Sequence, residues 1–156
     1  ENAARRAAFW LVDRALMLEE VDRYGPGEPD PMRLEERVDA LRRELGEPEL
    51  AKVLARTGLD EARLRATLRD QLRIDLYLAQ RFGSAAQPTD EEVLAHYRLD
   101  PSAYAREGVP LPVDRAIEAA RQDLTGTRRA ALVSDWLESL RRRADIVVRD
   151  PDLLKP

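Results

Sequence analysis

Cysteine is missing from this sequence, which excludes disulfides, zinc–thiolate sites and thiol nucleophiles. The redox character of its compartment therefore stays open. Histidine occurs once, as His96, whereas zinc sites draw on three or four converging ligands rich in Cys and His. Of 26 basic residues only Lys52 and Lys155 are lysine. That bias fits a GC-rich coding sequence better than recognition of phosphate. No run of about 18 apolar residues occurs, so no membrane insertion is expected. Gly-x-x-x-x-Gly-Lys-Ser/Thr and Gly-x-Gly-x-x-Gly loops are absent, which argues against an ATP-driven machine. Gly-x-Ser-x-Gly is absent too, and with it one well-defined way of exposing a nucleophile.

What remains describes a highly charged helical protein. Of its 156 residues, 44% are apolar and 36% charged, which suits one domain with a sizeable core, or two small lobes. A net charge of −4 and a pI of about 5.2 argue against a general nucleic-acid binder. The short basic run "LRRRAD", residues 140–145, reads as a solvated face whose cations suit a helix C-terminus. The chain opens on Glu1 rather than Met, so a processed form or a fragment is expected. The lack of a visible signal peptide then carries no information.

Gly and Pro punctuate the chain in order. Gly25, Gly46, Gly58 and Gly83 each follow an apolar helical pattern directly, where a glycine can close the last turn. The first helix is expected from about Ala3 to Arg23, with Asp13/Arg14 and Glu19/Glu20 on its wet face. "GPGEPDP" forms a stiff turn in which Asp30 caps a second helix and Pro31 takes its first position. Pro48 opens a short third helix. Asp60 caps a fourth, which runs to about Phe82 with Leu64, Leu68, Leu72 and Leu76 every four residues. A fifth starts at Thr89. After a Pro-containing connection, a long helix runs from about Val113 to Arg143, with Gly126 as a candidate break. "ADIVVRD" reads as one short terminal strand, whose partner is expected upstream of Glu1.

The stretch "PTDEEVLAHY" places His96 four residues after Glu92, which makes them neighbours on a helix. Lacking further ligands or a nucleophile motif, the pair reads as an i, i+4 contact on a half-exposed face. The same stretch carries a stronger signal. Thr89 and Glu92 have the spacing of a capping box, and Asp90 and Glu91 suit the positive end of the helix dipole. Val93 and Tyr97 share a face and are expected to point inward.

Three segments taken together resemble the SurA-like family of bacterial cell-envelope chaperones and peptidyl-prolyl isomerases. They are "LVDRALMLEEVDRYG", then "LDEARLRATLRDQLRIDLYL" followed by "PTDEEVLAHY", and lastly "LVSDWLESLRRRADIVV". The similarity covers most of the chain in order. Isomerase members of that family carry a parvulin domain between the Glu-Glu-Val helix and the closing helix. Here only Arg98 to Pro112 fill that gap. The resemblance thus implies an all-α, multi-helix chaperone module with a long C-terminal helix and one short terminal strand, and no isomerase activity. It implies one domain over 1–156: a helical lobe to about residue 98, a connection over 99–112, and a closing helix and strand over 113–149. It implies a periplasmic or cell-envelope location, no cofactor and no metal, and no enzymatic activity. Partners would be unfolded or extended polypeptides, outer-membrane proteins among them, with self-association open and no nucleic acid. Candidate client contacts are Trp10, Met17, Tyr77, Phe82, Tyr97 and Trp136. Two alternatives stand beside this reading. One is a structural or assembly module that binds a folded partner or itself. The other is part of a prolyl isomerase whose catalytic domain is absent here.

Overall fold

Side chains at the helix starts fix most of the element boundaries. The computed structural model describes residues 3–106 and 108–149. Asp30 Oδ1 accepts from the Met32 amide at 2.9 Å, and Pro31 begins the helix that follows. Asp60 Oδ1 accepts from the Arg63 amide at 2.7 Å. Thr89 accepts from the Glu92 amide while the Glu92 carboxylate accepts from the Thr89 amide at 2.8 Å, so the expected capping box is closed. Each contact satisfies an amide that the helix itself leaves without a partner.

The result is an all-α fold. Among the described residues, six α-helices follow one another: α1 (Ala3–Tyr24), α2 (Pro31–Leu45), α3 (Glu47–Thr57), α4 (Glu61–Phe82), α5 (Asp90–Leu99) and the long α6 (Val113–Arg143). Gly126 does not break α6, which continues through it. The connection before α6 is more ordered than its composition suggests. Asp100 caps a 3-10 turn over Pro101–Tyr104, and the two-residue strands β1 (Ala105–Arg106) and β2 (Val109–Pro110) pair antiparallel. Gly108, at φ 79°, supplies the left-handed step in that hairpin.

The strand expected near the C-terminus is corrected. Residues 145–149 lie outside helix and strand, and Val147 is 70% exposed. Strand propensity was present in "DIVV", but an extended backbone becomes a strand only with a ladder partner.

The chain divides into two compact units, and one of the two crossings falls within α4. The described part of the first unit is 3–79 with 144–149. Its buried apolar residues are Val21 from α1, Val38 from α2, Leu50 from α3, and Ile74 and Tyr77 from α4. Around this small core, α4 carries arginines at four-residue spacing. Arg65 pairs with Glu35, Arg69 with Glu28, and Arg73 with Asp22 at 2.7 Å. The guanidinium beside each holds the Glu35 and Glu28 carboxyls below their usual range. The second unit is Gln80–Arg143, in which α5 lies against α6. Ala86, Val93, Ala116, Ala120, Trp136 and Leu140 form its interior. Alanines at 116 and 120 lie one turn apart on α6, and small side chains there let the neighbouring backbone approach closely.

Candidate functional site

Helix α1 is the first place to look, because its apolar content exceeds what one face can bury. Four consecutive apolar residues, Phe9, Trp10, Leu11 and Val12, fan around most of the helix circumference. At least part of that run must meet solvent. In the structure Phe9 is 41% exposed, Trp10 56% and Leu11 58%. Arg5 sets its guanidinium over the Phe9 ring, 5.8 Å from its centroid. Arg5, Arg6, Phe9, Trp10 and Asp13 line a shallow depression of about 550 Å³. An apolar patch rimmed by charge is the chemistry of a protein-contacting surface.

A single line of residues joins this exposed patch to the core of the unit. Ala3, Ala7, Trp10, Arg14, Met17 and Val21 recur at alternating steps of four and three, which keeps them along one edge of the helix. At the C-terminal end the line is used within the unit: Val21 is 2% exposed and Met17 half-buried. Arg14, expected on the wet face, instead turns to Asp70 on α4 at 3.0 Å, with its side chain mostly buried. Toward the N-terminus Ala3, Ala7 and Trp10 on the same line are exposed.

The six residues nominated from sequence have different fates. Trp10 is exposed and belongs to the patch, and Met17 lies half-buried further down the same line. Tyr77 and Trp136 are corrected: at 4% and 7% exposure they are core side chains and offer no surface to a client. Both sit where apolar spacing on α4 and α6 turns inward, and the largest side chains fill most interior volume there. Phe82 meets Trp136 edge to face, with centroids 5.8 Å apart, and Arg81 lies over both rings. Tyr97 packs against Tyr104 at 5.8 Å. Phe9 and Leu11 were missed, although their place in an unbroken apolar run of four was the available signal.

The histidine is also reassigned. His96 does not pair with Glu92 but lies 3.1 Å from Asp123 on α6, through Nε2. Tyr104 donates its hydroxyl to the same Asp123 oxygen at 3.3 Å. Burial, then the charge of Asp123, pushes the Tyr104 phenol up. Three segments, α5, the 3-10 turn and α6, thus meet on one carboxylate. Glu92 is taken by a two-pronged contact from Arg128 on α6, at 3.1 and 2.5 Å. That guanidinium, aided by the Thr89 amide, holds the Glu92 carboxyl down at about 2. These contacts tie α5, the 3-10 turn and α6 together within the second unit.

Among the described residues no group of three or more His, Cys, Asp or Glu converges as a metal cage, and no helix is long and apolar enough to cross a membrane. No protein-family model, curated protein or solved structure matches the chain.

Proposed function

We propose that this chain passively holds unfolded or extended polypeptides in the bacterial cell envelope, without ATP and without isomerase activity. The observation that carries the reading is the exposed row Phe9, Trp10 and Leu11 on α1, bordered by Arg5, Arg6 and Asp13. Side chains of this kind cover the apolar residues of a client, and the charged border keeps the complex hydrated. Aromatic residues contribute large contact area at low entropic cost, so Trp10 and Phe9 are the principal contacts. Met17, Phe82 and Tyr97 are secondary ones, being only part-exposed. The ordered resemblance to the SurA-like family supports the envelope location and outer-membrane proteins as clients. The short segment between α5 and α6, a 3-10 turn and a hairpin, supports the absence of a parvulin domain at that point.

The test is aggregation of a chemically denatured client diluted into buffer without nucleotide. The chain is expected to slow light scattering in proportion to its molar ratio. Unchanged scattering at every ratio would reject the reading. Proline-limited refolding of a test protein should keep its rate, and an accelerated phase would instead mark the chain as an isomerase.

A further inference from the structure

We propose that a shallow depression between α2 and α4 is a second interaction site, which takes an extended polypeptide segment carrying an apolar side chain beside acidic ones. Arg33, Glu36, Arg37 and Ala40 of α2 and Leu72 of α4 line it, around a volume of about 390 Å³. All five belong to the first unit. Positions 33, 37 and 40 follow steps of four and three, so they stand on one face of α2. Ala40 and Leu72 are half-buried and leave part of their apolar surface open there.

The two arginines set the place apart. In the same unit Arg14, Arg42, Arg65, Arg69 and Arg73 each hold a carboxylate. Among the described residues Arg33 and Arg37 have no acidic partner, and neither makes a side-chain hydrogen bond. Their placement is unfavourable as it stands. Two like charges at i, i+4 repel. Arg33 also lies in the first turn of α2, at the positive end of the helix dipole, and that turn holds no acid. A carboxylate brought between the two guanidiniums reverses both terms, and a guanidinium fork matches its two oxygens.

Glu36 is the one acid in the lining. Two cations against one anion leave the depression net positive, in a chain of net charge −4. A basic segment is thereby disfavoured. A bare anion uses the arginines but leaves Ala40 and Leu72 uncovered, whereas an apolar side chain next to a carboxylate uses both. Met32, 69% exposed and four residues before Glu36, extends the apolar surface along α2.

Fluorescence anisotropy with dye-labelled, unstructured peptides tests the proposal. One peptide holds leucine and glutamate spaced by glycine and serine. A second has lysine for every glutamate, and a third has serine for every leucine. The full chain should bind the first about tenfold or more tighter than either of the others, and added salt should weaken that binding. Arg33→Glu/Arg37→Glu should lose about tenfold for the first peptide and prefer the lysine peptide instead. Arg56→Glu/Arg63→Glu changes the net charge equally, at two exposed arginines outside the depression, and should keep the wild-type preference. Helical content by circular dichroism checks that each variant is folded. Equal binding of the three peptides by the wild type overturns the proposal. So does a control pair that loses the preference as fully as Arg33→Glu/Arg37→Glu. Phosphatidylglycerol vesicles give the last arm. Binding to them that needs Arg33 and Arg37, with none to the leucine–glutamate peptide, overturns the proposal in favour of a membrane surface. The site does not rest on client holding by α1. A chain that shows the preference and its reversal but does not slow client aggregation keeps this site and loses that reading. A chain that slows aggregation with no preference among the peptides loses this site alone.

Discussion

Gly25 shows how much one missing methyl group can decide. A Cβ at that position would stand 2.4 Å from the Val21 carbonyl oxygen, which already accepts the Gly25 amide at 2.8 Å. A backbone atom cannot step aside as a flexible side chain can. Gly25→Ala should therefore cost about 1–3 kcal/mol of stability, read as a lower urea midpoint. Two residues on, Gly27 has nothing within 4 Å of its would-be Cβ. Gly27→Ala should be neutral, or stabilise by about 0.4–1 kcal/mol through the unfolded state. The pair is a control within one loop. Thr89 gives a second residue-scale prediction. Its side chain caps α5, and Thr89→Ala should lower stability by about 1 kcal/mol in the same measurement.

At the scale of elements, the α5–α6 contact carries a pH dependence whose sign is fixed. Arg128 depresses the Glu92 carboxyl from an ordinary 4.5 to about 2. A group lowered on folding contributes stability that is fully present above its unfolded value and is lost as pH falls through its folded one. Unfolding of the second unit should thus become easier between pH 4.5 and about 2, and Glu92→Gln should flatten that stretch of the curve. Thermal melts by circular dichroism across that range measure both. The helix starts were legible in the sequence because Asp30, Asp60 and Thr89 act on amides two or three residues away. Partners across elements were not. His96 was read against Glu92 on its own helix, yet each is claimed by α6, through Asp123 and Arg128. The arginines at 65, 69 and 73 were a readable stripe beside the leucines of α4, and they reach acids 30 to 51 residues away. A stripe shows in a sequence, but its partners depend on how helices dock.

For the whole molecule, the same limit governs the candidate surface. The chaperone reading nominated six large apolar side chains. Tyr77 and Trp136 are core, while Trp10 meets solvent. Spacing alone could not separate them, because exposure depends on what each face packs against. The excess was visible only in the run Phe9 to Val12, which is too apolar for one face. The proposed holding of clients rests on that excess. The decisive measurement compares client aggregation in the presence of the wild-type chain and of a Phe9→Ser/Trp10→Ser/Leu11→Ser variant, at equal concentration and without nucleotide. These side chains lie outside both cores, so the variant should keep its helical content. The account predicts that the wild type suppresses light scattering and that the folded variant loses most of this effect. Equal protection by the two, or none by the wild type, would contradict it.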